Sequence, residues 1–218
     1  MMAIRAATWF CAVLTLVTGL AQPVSAGLAE PFPITTENLL VVGMAPTEIV
    51  EYDSLLLEYP TPIAAVMAKA VTTSGATVLD EILKTKYSVG IYQYNAHLHR
   101  WMPMWERVTG EMSIAFVEGY DILDLTGDGM PELAVRIRYS GPERVLDYVV
   151  KSVENGQVTD VFQRRSLYQG RVTATTGAIV FHSPVVENGE DFDRQETYSW
   201  NPKLRLFEKT REIRNKVP

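Results

Sequence analysis

Asp124-Leu125-Thr126-Gly127-Asp128-Gly129-Met130-Pro131-Glu132 runs without a break into Leu133-Ala134-Val135-Arg136-Ile137-Arg138-Tyr139. The second half decides the fold class. Leu133, Val135, Ile137 and Tyr139 alternate with Ala134, Arg136 and Arg138. Successive strand side chains point to opposite faces, so the apolar set shares one sheet face and both arginines the other. The first half is an acid-rich connection into that strand. Oxygen side chains stand at its positions one, three, five and nine, with Gly129 at six, where a ligand loop must turn sharply.

Working outward, the rest of the chain from residue 38 reads mostly as strands. Short Val-, Ile- and Tyr-rich runs are punctuated by Gly, Pro, Asn-Gly and Asp-Gly. Val145–Val153, Asn155-Gly156 and Val158–Phe162 form a hairpin pattern whose turn needs positive φ. Residues 92–101 match residues 198–207 in character at a constant offset of 106, each reading strand, Asn-led turn, strand. Ser74-Gly75 and Val78-Leu79-Asp80 echo Ser140-Gly141 and Val145-Leu146-Asp147, and apolar runs at 63–71, 133–139 and 178–186 precede the echoes. Three units of about 55–65 residues follow, each a small antiparallel sheet. The expected fold is mainly β, with propeller-blade-like repeats in an incomplete or open array; a β-sandwich is the alternative. Thr77–Leu83 reads equally as a capped helix. Residues 27–60 are taken as an N-terminal extension to a β-rich repeat domain at 61–218, with Asn38–Met44 strand-like, Thr47–Glu58 open between strand and helix, and the tail after Glu208 a fraying end.

In the loop, Asp124, Asp128 and Glu132 gather three negative charges, Thr126 adds a hydroxyl, and Met130 offers its carbonyl. Clustered carboxylates repel, and a divalent ion relieves that repulsion. Hard oxygen donors point to one calcium ion, with magnesium second and zinc or copper disfavoured. An EF-hand does not fit, because position twelve is Val135 and Pro131 opens a strand rather than a helix. The competing reading is an Asx-type turn without metal. The loop, with Gly119–Leu123 before it and the alternating strand after it, resembles the calcium loop of FG-GAP and VCBS repeat proteins. That resemblance implies strands of a propeller blade joined by the loop, with Asp124, Thr126, Asp128, the Met130 carbonyl and Glu132 as ligands.

At the N-terminus, Arg5 precedes an apolar run to about Leu20, and Val24-Ser25-Ala26 offers a small-residue cleavage site, so residues 1–26 read as a signal peptide. The run is too short for a membrane span, and none is expected after cleavage. The single cysteine, Cys11, lies inside it, so the exported chain would have no disulfide. Losing Arg5 makes the net charge of −6 one unit more negative, which disfavours nucleic acid as a partner. At 47% hydrophobic residues, the chain can bury a core.

Other candidate sites read more blandly. Glu187–Asp193 looks like a solvated hairpin end, His97 and His99 like surface residues in a turn, and His182 like a satisfied core or edge residue. Trp101, Pro103 and Trp105 would share a face in an extended strand, and Pro103 marks an edge. No Gly-x-Ser-x-Gly, His-Glu-x-x-His or phosphate-cradling loop occurs. The reading is therefore an exported, non-enzymatic protein that binds an extracellular protein or glycan, in the secreted or cell-envelope space. The alternatives are a polysaccharide hydrolase using Glu118 and Asp121, and a purely structural envelope component.

Overall fold

The computed structural model describes residues 33–58, 62–71, 85–110 and 115–217. Residues 1–26, read as a signal peptide, and the ambiguous stretch Thr77–Leu83 lie outside the described residues. Residues from Ile34 onward form one compact unit, in which the described strands build three four-stranded antiparallel sheets. Sheet 1 holds β1 (Ile49–Glu58), β2 (Ile63–Val71), β3 (Thr85–Asn95) and β4 (Arg100–Gly110). Sheet 2 holds β5 (Ala115–Leu123), β6 (Glu132–Tyr139), β7 (Leu146–Glu154) and β8 (Gln157–Leu167). Sheet 3 holds β9 (Arg171–Thr175), β10 (Ala178–Glu187), β11 (Glu190–Asn201) and β12 (Leu206–Lys216). In each sheet the spatial order is the chain order, so every sheet is an open meander with two edges. The protein is thus mainly β, in open antiparallel sheets, and among the described residues no helix is long and apolar enough to cross a membrane.

The three apolar runs of the sequence are β2, β6 and β10, the second strand of each sheet. Sheet 2 is the middle layer. Leu133, Val135 and Ile137 pack with Ile63, Ala65, Val89 and Ile91 of sheet 1. Ala134, Tyr148 and Val150 pack on its other face with Ile179, Phe181 and Phe207 of sheet 3. Burial on both faces explains β7, where residues 146–153 are buried in succession. Its two charged members are paired: Asp147 accepts from the Ser166 N–H at 2.8 Å and the Tyr139 hydroxyl at 3.1 Å, and Lys151 reaches Asp160 at 2.5 Å. The far face of sheet 3 is polar, since Val180 pairs with Thr173 and Thr197, and His182 with Arg171 and Gln195. A polar outer face is what ends a stack of repeats.

Turn chemistry follows the sequence. Asn155-Gly156 and Asn188-Gly189 take positive φ at both residues (52° and 72°; 52° and 79°), the geometry of two-residue hairpins. The 106-residue echo marks the last hairpin of sheets 1 and 3. Asn95 Oδ1 accepts from the His97 and Leu98 N–H groups, Asn201 Oδ1 from those of Lys203 and Leu204, and His99 and Arg205 both have positive φ.

Four expectations need correction. Residues 27–60 are not merely an extension, because β1 pairs with β2 and completes sheet 1. Asn38–Met44 makes one parallel bridge, Leu39 to Trp101, rather than a strand. Trp101 and Trp105 lie on opposite faces: a bulge puts Pro103 opposite Tyr92 and Trp105 opposite Ile91, so Met104 shifts the alternation by one. The tail does not fray. β12 pairs along β11 and is held by Arg214 to Glu187, Lys216 to Glu190, and Glu212 between Lys209 and Arg214. Those two cations hold the Glu212 carboxyl down at about 2.

Glu106 fastens the N-terminal segment to sheet 1. It accepts from the Tyr92 hydroxyl at 2.6 Å, the Ser88 hydroxyl at 2.5 Å and the Val42 N–H at 3.2 Å. Burial first, then the bond to Glu106, pushes the Tyr92 phenol well above its ordinary value. For an acid raised on folding, the stabilisation is complete below the unfolded pKa near 10 and is lost as pH climbs past it. Melting temperatures between pH 8 and 11 should therefore fall in wild type and fall less steeply in Tyr92→Phe; parallel slopes would refute the assignment.

Candidate functional site

The loop after β5 is held by its own acids. Asp124 Oδ1 accepts from the Gly127 N–H at 2.7 Å and its Oδ2 from the Gly129 N–H at 3.0 Å. Asp128 Oδ1 accepts from the Met130 N–H at 2.8 Å. Glu132, the first residue of β6, turns back into the loop: one oxygen accepts from the Leu125 N–H at 2.6 Å, the other from the Thr126 hydroxyl at 3.1 Å. Gly127 (φ 78°) and Gly129 (φ 88°) supply the left-handed backbone that this winding requires.

One oxygen from each of Asp124, Asp128 and Glu132 lies within 4.8 Å of the others. Thr126 joins them through its hydroxyl, while the Met130 N–H bonds to Asp128 and its side chain is exposed. Glu132 is 1% exposed. Among the described residues no cationic nitrogen pairs with any of the three acids; the nearby Arg205 is bonded to Glu154. Burial, and to a smaller extent the Asp128 charge, therefore pushes the Glu132 carboxyl up, against the bonds from Leu125 and Thr126 that lower it. The set is hard and anionic, with, among the described residues, only Arg205, itself bonded to Glu154, near Asp128, and each bonded carboxylate oxygen keeps a second lone pair. These residues fit a hard divalent cation.

A second feature adjoins the loop. A cleft of about 760 Å³ opens where the first strands β1, β5 and β9, each an edge of its sheet, come together. The Tyr120 hydroxyl crosses it to Asp53 at 2.6 Å, and Arg136 is paired with Asp121. A Cβ at Gly119 would meet the Arg136 guanidinium at 2.8 Å, so glycine at this β5 bulge makes room for the arginine. Tyr148 is 1% exposed and lines the cleft, yet among the described residues its hydroxyl has no hydrogen-bond partner. An orphaned buried hydroxyl costs about 1–3 kcal/mol. Tyr148, Tyr120, Arg136 and Asp53 were not singled out in the sequence; the one usable signal was an arginine on the second face of a strand whose first face is apolar. Glu118 and Asp121 do not meet. Glu118 is bound by Arg138 and lines a different cavity of about 1050 Å³. His97 and His99 are exposed in their turn, and His182 Nδ1 lies 3.1 Å from Asp193.

No family model matches the chain, and no curated protein matches it. Among solved structures it is similar to the periplasmic lysozyme inhibitor of I-type lysozyme from Aeromonas hydrophyla, at 18% identity over 54% of this chain and 91% of that one, with a TM-score of 0.34. A likeness this faint carries no argument about function.

The loop's local bonding has a measurable consequence without any metal. In chelator, Glu132→Ala strands the buried Leu125 N–H and should cost about 1–3 kcal/mol in denaturant unfolding. Glu132→Gln keeps an acceptor and removes the buried charge, so it should unfold much closer to wild type.

Proposed function

We propose that this chain is an exported, non-catalytic binding protein, resembling FG-GAP and VCBS repeats, whose 124–132 loop takes one calcium ion as a structural element. The observation that carries the reading is the gathering of one oxygen each from Asp124, Asp128 and Glu132 within 4.8 Å of one another, with none of the three in an ion pair among the described residues. Asp124, Thr126, Asp128 and Glu132 would hold the ion through side chains and Met130 through its carbonyl. A calcium ion supplies positive charge there and ties the end of β5 to the start of β6. Repulsion among the acids, and the burial of Glu132, make that charge stabilising.

The reading of export rests on the first 26 residues and on the absence of cysteine after them. Two observations support a binding role over a hydrolytic one. The acids of the hydrolase alternative, Glu118 and Asp121, line separate cavities and are each bound by an arginine. A carboxylate pair that cleaves a glycosidic bond has to flank one ligand. The partner is an extracellular protein or a glycan.

Thermal unfolding of the full chain in calcium, magnesium and chelator tests the metal. At calcium about 100-fold above its dissociation constant, the protein should gain about 2.7 kcal/mol over chelator. Magnesium should give less. Asp128→Ala should erase the difference between calcium and chelator, whereas a wild type indifferent to calcium would end the proposal.

A further inference from the structure

The cleft between the first strands of the three sheets has the chemistry of a ligand site, independent of the loop. We propose that it binds a neutral saccharide, with Tyr148, Arg136, Asp121 and Asp53 as its hydrogen-bonding groups. The inference rests on the reading of the chain as a binding protein, and it names the ligand class and the place.

Size comes first. About 760 Å³ falls within the range of small-molecule sites, and the cleft lies open along β5 rather than closing into a pocket, which suits a segment of a chain as well as a single ring. The floor comes next. Tyr148 sits edge-on to Phe181, 5.7 Å between ring centres, so its ring is fixed by the core while its hydroxyl stands without a protein partner beside Asp121 and Arg136. Buried hydroxyls are ordinarily paired, so this one calls for an explanation, and a hydroxylated ligand in the cleft is one that the lining residues favour.

The balance of charge then selects the ligand. Asp53 and Asp121 oppose an anion, and Arg136 opposes a cation. What remains is a set with donors at Arg136, acceptors at both carboxylates, and a phenol able to do either. Sugar hydroxyls have that same double character. Ile122 and Val172 on the walls offer apolar surface to the C–H faces of a ring. An extended peptide pairing with the β5 edge is the rival occupant; it would use the backbone of β5 and gain little from an orphaned phenol and a neutralised ion pair.

The test titrates the full chain by calorimetry with neutral gluco-, manno-, galacto- and N-acetylglucosamine oligosaccharides, against a uronic acid oligomer and a tri-lysine peptide as charged probes. At least one neutral oligosaccharide should bind. Tyr148→Phe should weaken it about ten-fold, the equivalent of one lost hydrogen bond. Because the hydroxyl has no partner in the fold, this variant should melt no lower than wild type and keep its response to calcium. Asp121→Asn should weaken the same sugar, and Tyr168→Phe, at an exposed tyrosine outside the cleft, should not. The proposal is overturned if no neutral oligosaccharide binds up to about 10 mM, if Tyr148→Phe binds like wild type, or if a charged probe binds more tightly. The calcium response is read separately in each variant, so failure of the metal reading and failure of this one are distinguishable.

Discussion

The middle sheet has to be dry on both sides, and most other features follow from that. A four-stranded meander alone buries too little apolar surface to pay for its ordering. Sheet 2 solves this by lying between two others, with Leu133, Val135 and Ile137 facing one way and Ala134, Tyr148 and Val150 the other. Each large apolar side chain so buried contributes about 1.5–3 kcal/mol. The same arrangement forces polar residues into the interior: Asp147, Lys151 and Ser152 occur on a strand with no wet face, and the first two are matched by partners on adjoining strands. Sheet 3 needs only one dry face. Its other face is threonine, glutamine, histidine and arginine, so the stack stops there without exposing a core.

How much of this was legible depends on whether the cause was local. Alternation from Leu133 to Tyr139 and the Asn-Gly turns could be read directly, because period two and positive φ are properties of a few adjacent residues. The echo between residues 92–101 and 198–207 was legible for a similar reason: both encode one hairpin with one Asn-capped turn. The extra residue at Met104 gave no local sign, and it reversed the faces of Trp101 and Trp105. β12 was misread because a run of charges looks solvated, while its place is set by pairing along β11 and by the burial of Phe207, with Glu187, Glu190 and Glu196 brought opposite its cations only by that register. Thr47–Glu58 stayed open between strand and helix because the pairing with β2, not local composition, makes β1 a strand.

The site divides along the same line. Loop spacing carried the whole acidic cluster, since all its members lie within nine residues and turn geometry alone gathers them. The cleft was invisible, because Asp53, Tyr120, Arg136 and Tyr148 belong to four strands of two sheets and meet only after packing. Glu118 and Asp121, close in sequence, are separated by the same process: Arg138 takes one and Arg136 the other.

β5 connects the two features physically. Its C-terminal end, Leu123, precedes the first acid of the loop, and its last four residues, Tyr120–Leu123, form one wall of the cleft. As an edge strand, β5 has only β6 to hold it in register, and a bulge between Val117 and Gly119 already loosens that pairing. Glu132 lies at the far end of the pairing, opposite Leu123, and its carboxylate grips the Leu125 N–H. Whatever tightens the acids around Glu132 therefore also fixes where Tyr120 and Asp121 stand. In this geometry, the bonding of Glu132 within the loop and the position of one cleft wall both depend on a single edge strand and the anchor at its end.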